Sequence, residues 1–405
     1  MRGALASMAV LLTFVAAAYG QNDQLPPIHG SLWGIGDFMP ANLGARGQAM
    51  GGCNVATAKG YQALLKNPAG VASVTENQVG LDGHVVVLAL DYEDDEDVGG
   101  GVPKLGGLGV VVPVDLTPDV RAGFALGWGA FYDNTFAYWT WTGRDEEYRQ
   151  FGGYHVLLPT ASVCYDDRWS AGVSLGLPVC SPYGARWVRE SSGEPYESEL
   201  TGTVEGTFSQ LGVLGHPWPW LSVGASVTPG LDLKIDEPVY SSEDWEEEFE
   251  DVNIEIPSQH SIGVAVHPVP KLTFAGEYSF LPLKRIEWEG YRWPGHEYSE
   301  YSGIENGATW RVGVEYRTLV DLRVGAYRSN YWQRAEYDER DPAELTLVTA
   351  GVGFDVGSVS VDISAEYGSY EEPGSEYHQD PELTNHVGRL AAQVGYSWPG
   401  WASAR

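Results

Sequence analysis

Fourteen segments of this 405-residue chain alternate apolar and polar residues with a period of two, and the connectors between them alternate between short and long. In "KLTFAGEYSF", residues 271–280, Leu272, Phe274, Tyr278 and Phe280 share one parity against Thr273, Ala275, Glu277 and Ser279 on the other. Such a period belongs to a strand with one apolar and one wet face. The segments run over about 76–92, 104–115, 118–133, 149–165, 168–189, 198–215, 218–239, 250–267, 270–290, 303–317, 320–333, 344–356, 358–371 and 384–398. Connectors such as "TP", "DDR", "HPWP", "HPVP", "TLV" and "VGS" are tight turns. They interleave with long charged stretches that include "DYEDDEDVGGG", "NTFAYWTWTGRDEE", "SSEDWEEEFED", "YWQRAEYDERD" and "EEPGSEYHQDPE". Short turns on one rim, long loops on the other and an even strand number form the pattern of a transmembrane barrel. A soluble sandwich has no reason to sort its loops by length. The expected fold is therefore all-β, a fourteen-stranded antiparallel transmembrane β-barrel whose apolar strand faces meet lipid and whose polar faces line a lumen.

The rest of the chain agrees. Residues 1–20 place Arg2 before an apolar run from Ala4 to Ala18, then Gly20, which reads as a secretory signal peptide cleaved after Gly20. Beyond residue 20 no stretch of 18 or more apolar residues occurs, so any membrane crossing falls to a barrel. The expected organisation is a signal peptide over 1–20, an N-terminal hatch over 21–75 inside the lumen, and the barrel over 76–405. The expected location is the outer membrane of a Gram-negative-type bacterium with both termini periplasmic, in contact with outer-membrane lipid and, during biogenesis, with barrel-assembly machinery. A net charge of −31 repels phosphate backbones, so no nucleic-acid partner is expected. Of Cys53, Cys164 and Cys180 none is expected in a structural disulfide, because Cys164 and Cys180 stand at unequal distances from the turn at Asp166 and Asp167.

Facing repeats from strand to strand. Trp310, Val312, Val314 and Tyr316 oppose Arg311, Gly313, Glu315 and Arg317, while Val359, Val361, Ile363, Ala365 and Tyr367 oppose Ser360, Asp362, Ser364 and Glu366. Trp169, Trp218, Trp220 and Trp398 gather near the short-turn rim, and Trp187, Trp288, Trp293 and Trp332 near the other, as membrane-interface girdles do. "GVSLG" at 172–176 matches a nucleophile elbow, but it sits in an alternating strand rather than at a strand-to-helix turn. The nine histidines show no metal-ligand spacing, and the acidic run from Asp91 to Asp97 reads as a solvated loop. No enzyme, metal or cofactor is expected.

Residues 43–72, "LGARGQAMGGCNVATAKGYQALLKNPAGVA", are neither strand nor long helix. This stretch resembles the N-terminal hatch of the long-chain fatty acid transporter (FadL-type) family of outer-membrane proteins, through Arg46, Met50, Gly51, Gly52, Asn67, Pro68, Ala69, Gly70 and Ala72, with Cys53 in place of a usual alanine. "IPSQHSIGVAVHPVPKLTFAGEYSF", "WRVGVEYR" with "LRVGAYRSN", and "TAGVGFDVGSVSVDISAEY" are similar to that family's hairpins. The resemblance implies uptake of a small hydrophobic ligand, a long-chain fatty acid or similar, through a plugged barrel with a sideways exit. The alternative is the PorV-type branch, whose members bind and shuttle secreted proteins. Within "RAGFALGWGAFYDN", Gly123, Gly127 and Gly129 share the lumen-facing parity. Either the wall parts there, making the implied lateral gap, or the small residues leave room for the hatch. The aromatic "FAYWTWTG" makes Phe136, Tyr138, Trp139 and Trp141 the candidate ligand-capture surface.

Overall fold

The ladder that begins at Asn77 returns to it, because Asn77 pairs with Trp398 and Val86 with Arg389, joining the first strand to the last. The computed structural model describes residues 44–92, 95–133, 139–141, 146–179, 182–189, 196–242, 246–248, 251–282, 287–289, 306–329, 345–372 and 383–399. They form a closed antiparallel barrel of 14 strands. The strands are β1 (Asn77–Tyr92), β2 (Asp95–Thr117), β3 (Val120–Asp133, resumed by Trp139–Trp141), β4 (Glu146–Tyr165) and β5 (Trp169–Pro178, then Pro182–Arg189). β6 (Tyr196–Glu205, Phe208–Trp218), β7 (Leu221–Thr228, Leu231–Ser242), β8 (Glu246–Glu248, Val252–Ile256, Gln259–Val269) and β9 (Leu272–Leu281, Glu287–Glu289) are each interrupted. β10 (Gly307–Tyr316), β11 (Asp321–Ser329), β12 (Leu345–Val356), β13 (Val359–Glu372) and β14 (Leu383–Trp398) complete the ring.

The alternation sets the facing. Phe274, Trp310, Val312, Val324, Ile363 and Leu390 are exposed on the outer wall, whereas Glu277, Arg311, Glu315, Arg323, Asp362 and Gln393 are buried inside. An apolar exterior over a polar lumen is the arrangement lipid demands. Trp218 and Trp220 stack 5.6 Å apart at the short-turn rim, and Tyr396 and Trp398 stack at 5.7 Å. At that rim the turn after β4 places Asp166 and Asp167 at φ 53° and 51°, the left-handed pair that a tight hairpin needs and that Asp tolerates. "GVSLG" is plain strand, with Ser174 fully buried and hydrogen-bonded to Thr160 at 2.7 Å. Cys53 and Cys164 are buried free thiols.

One connector differs from expectation. The acidic stretch after Tyr92 was expected as a long loop, yet β1 and β2 stay paired through Leu90 with Asp97 and Tyr92 with Asp95. Beyond the lipid belt both faces of a hairpin meet water, so strand pairing there needs no apolar alternation to sustain it.

Inside the barrel, residues 44–75 form a compact hatch of α1 (Ala45–Ala49) and two 3₁₀ turns, Gly60–Ala63 and Pro68–Ser73. A ring of wall glycines lets it seat. A Cβ added at Gly212 would stand 2.0 Å from Asn67 Oδ1, at Gly172 2.5 Å from the Pro68 carbonyl, at Gly313 2.4 Å from Met50 O and at Gly325 2.2 Å from Gly51 N. Only a residue without a side chain allows backbone to approach backbone this closely.

Candidate functional site

The hatch-motif residues named from sequence are tied into the plug, several of them directly against the wall. Arg46 donates Nε and Nη2 to the two carboxylate oxygens of Glu315 at 2.9 and 3.1 Å. Glu315 also accepts from Arg323 and Arg317, and Arg323 continues to Asp362. Met50 is fully buried, and Gly51 donates its N–H to Thr349 Oγ1 at 3.0 Å. Gly52 closes the turn after α1 by donating to Gly47 O at 2.9 Å. Asn67 accepts from Ala69 N–H as the cap of the second 3₁₀ turn while its amide donates to Val55 O and to Val213 O of β6. Pro68 stands at the first position of that turn, where its missing N–H is not needed, and Gly70 fits under Ala58 O.

A second carboxylate pins the middle of the hatch. Glu277 Oε2 accepts the backbone N–H groups of Asn54 and Val55, both at 2.8 Å, and its Oε1 accepts from Arg311 at 3.2 Å. The charges that sequence placed in the lumen are therefore the seat of the hatch rather than the lining of an open pore.

On the long-loop side of that seat lies a cavity of about 40 Å³, with Leu65 and Lys66 of the hatch and Gln210, Ser226, Thr228, Arg311 among its lining. Beside it the barrel changes character. In β7, Ser222 and Thr228 are buried at even positions, whereas after the break at Pro229 and Gly230 it is Leu231, Leu233 and Ile235 that are buried, at 2%, 3% and 3% exposure. β8 does the same across Pro257 and Ser258, so the partner pair Thr228 and Gln259 is followed by Leu231 and Ile256. A one-residue slip in a period of two exchanges the faces. Above the break the apolar residues therefore turn inward, and Asp232, Asn253 and Glu255 are exposed outside. Leu231, Leu233, Ile235 and Ile256 pack with Tyr154, Val204 and Phe208 onto Leu64 and Leu65 of the hatch. Period-two reading alone misses this, since Leu231, Leu233 and Ile235 carry the same parity as Val223 and Val227; the two proline breaks were the available signal.

The expected opening at β3 is not where the wall is loose. Gly123, Gly127 and Gly129 pair in one register with Pro113, Gly109 and Gly107 of β2, and with Ser162, Leu158 and Val156 of β4. A Cβ on Gly123 would meet Ala72 backbone at 2.7 Å, and one on Gly127 would meet Leu64 Cδ1 at 2.6 Å. These glycines leave room for the hatch, and a lateral gap at this strand is corrected to a closed wall. Pairing lapses instead between β6 and β7, from Val227 with Leu211 to Lys234 with Glu205. Of the candidate capture residues, Phe136 and Tyr138 lie outside the described residues, and Trp139 and Trp141 belong to the short strand that pairs with Tyr148 and Glu146.

No protein-family model matches the chain, and no curated protein matches it. Solved structures do. The toluene transporter TbuX of Ralstonia pickettii superposes with a TM-score of 0.59 at 14% identity, over 89% of this chain and 100% of its own. The toluene transporter TodX of Pseudomonas putida gives 0.59 at 16%, over 89% and 99%. A Pseudomonas aeruginosa FadL homologue gives 0.58 at 13%, over 87% and 97%. This is the FadL-type fold. The likeness is one of fold, and the neighbours named are transporters or a transporter homologue rather than enzymes.

Proposed function

We propose that the protein is an outer-membrane transporter that takes up small hydrophobic compounds, long-chain fatty acids or similar, from outside the cell. The carrying observation is the reversal of facing at Pro229-Gly230 and Pro257-Ser258, which gives the long-loop half of β7 and β8 an apolar interior directly above the hatch. A hydrophobic solute entering from the long-loop rim meets Leu231, Leu233, Ile235 and Phe208 before the polar seat below, and burial of apolar surface draws it in. The plug formed by residues 44–75 rules out free diffusion of polar solutes along the axis. Release is sideways, and the unpaired stretch between β6 and β7, which borders the cavity at Gln210 and Thr228, is the place for it. The toluene transporters and the FadL homologue that share the fold support the same reading.

The test is uptake of a radiolabelled hydrophobic compound by cells that carry the protein, compared with Leu233→Asp and Ile235→Asp variants that still migrate as folded barrels. Loss of uptake in both variants with normal assembly is expected. Unchanged uptake would overturn the reading.

A further inference from the structure

The ends of β6 and β8 carry one repeated pattern, His216-Pro217-Trp218-Pro219 and His267-Pro268-Val269-Pro270. A proline has no N–H to give the ladder, and the ladder slips at both places. Between Gly215 with Val223 and Trp218 with Leu221, His216 and Pro217 face Ser222 alone; between Val266 with Phe274 and Val269 with Leu272, His267 and Pro268 face Thr273 alone. Such bulges re-aim a side chain, and here both imidazoles turn into the lumen onto the buried hydroxyls of Ser222 and Thr273. His216 Nδ1 and His267 Nε2 lie 2.9 and 3.0 Å from Ser222 Oγ, and His267 Nδ1 lies 3.0 Å from Thr273 Oγ1. One hydrogen-bonded chain therefore crosses β6, β7, β8 and β9 at the short-turn end of the lumen.

Ser222 has a single hydroxyl proton and donates it to one ring only, so the other ring must donate to Ser222. The chain is complete with one proton on each imidazole. Charging both rings would leave Ser222 between two N–H donors with its own proton unused. The surrounding charges oppose that state too. Lys59 of the hatch acts on both rings, His267 acts on His216, and Arg46 of the hatch with Arg317 beyond β10 acts on His267. Among the described residues Glu315 is the carboxylate that bears on the pair, and Arg46, Arg317 and Arg323 already share it.

We propose that His216 and His267 form a proton-operated latch on the hatch: with both rings neutral the plug is seated, and protonation sets new positive charge against Lys59 and Arg46 and loosens it. Like charges in a half-buried cluster repel more strongly than at a free surface. The latch acts on the plug, so it operates whichever compound the barrel carries.

Planar-bilayer recordings of the purified protein test this, with a chelator present so that no metal ion bridges the rings. The native barrel should be almost silent at about pH 7.5, and its conductance steps should become about tenfold or more frequent at about pH 5, below the ordinary histidine range near 6.5. His216→Gln combined with His267→Gln should stay silent at both pH values, because an amide can bond Ser222 without taking up a proton. Lys59→Met, which removes the hatch cation that both rings face, should cut the acid response severalfold. Heat-modifiable gel mobility at each pH establishes that every variant is a folded barrel. A native protein that stays silent at the lower pH, or a double variant that opens with acid as the native does, overturns the latch. A full acid response in Lys59→Met overturns the repulsion as its cause.

Discussion

Arg46 of the hatch and Glu315 of β10 meet as a two-pronged pair, guanidinium to carboxylate at 2.9 and 3.1 Å, with the Glu315 side chain fully buried. Because Arg323 and Arg317 share the same carboxylate, Glu315 is the counter-charge for three cations, whereas Arg46 is one of three donors. The two residues are therefore not equivalent. Glu315→Gln should loosen the hatch more than Arg46→Gln, since removing the shared partner leaves several cations facing each other, and breaking one buried pair is already worth about 3 to 5 kcal/mol. Single-channel recordings in planar bilayers check this. Frequent conductance steps are expected for Glu315→Gln, fewer for Arg46→Gln and almost none for the native protein; equal, silent traces for all three would contradict the latch.

The wall glycines divide by what they face. At Gly325 an added Cβ meets hatch backbone, Gly51 N at 2.2 Å, whereas at Gly127 it meets the end of the Leu64 side chain at 2.6 Å. A side-chain tip can swing aside and a backbone cannot. Gly325→Ala should unseat the hatch and raise channel conductance, while Gly127→Ala should assemble and conduct like the native barrel. Identical behaviour of the two variants would show that close approach does not hold the plug.

How much of this was legible beforehand follows from the same physics. The strand count, the inside position of Glu277, Arg311, Glu315 and Asp362, and the exposed Phe274 and Trp310 come from alternation between two solvents, which the sequence records residue by residue. The hatch motif residues were visible as a run, but their wall partners were not, because Thr349, Glu315 and Val213 lie 298, 269 and 146 residues along the chain from their partners and nothing local marks the pairing. The inward turn of Leu231 and Ile256 was hidden by its own regularity: the apolar parity continues unbroken in sequence while two proline-containing breaks reverse its meaning in space. The glycines of β3 were ambiguous for the opposite reason, since an opening and a close packing contact both call for the absence of a side chain.

The unpaired stretch between β6 and β7 can be closed by design. Gln210 and Thr228 both line the cavity and would be direct partners if the ladder that ends at Leu211 with Val227 ran one step further. Opposed positions in an antiparallel pair bring their Cβ atoms within reach of a disulfide. Gln210→Cys combined with Thr228→Cys, oxidised in an otherwise folded barrel, should leave the apolar chamber able to fill but hold the two strands together where the ligand departs. Uptake by cells should drop severalfold on oxidation and return on reduction, with binding to the purified protein retained in both states. A control pair on the outer face of the closed wall, Phe124→Cys with Ala161→Cys, joins strands that are already bonded and should change uptake in neither state. Uptake that survives the oxidised cross-link at 210 and 228 would move the exit away from β6 and β7, and the sideways route would have to be sought elsewhere around the ring.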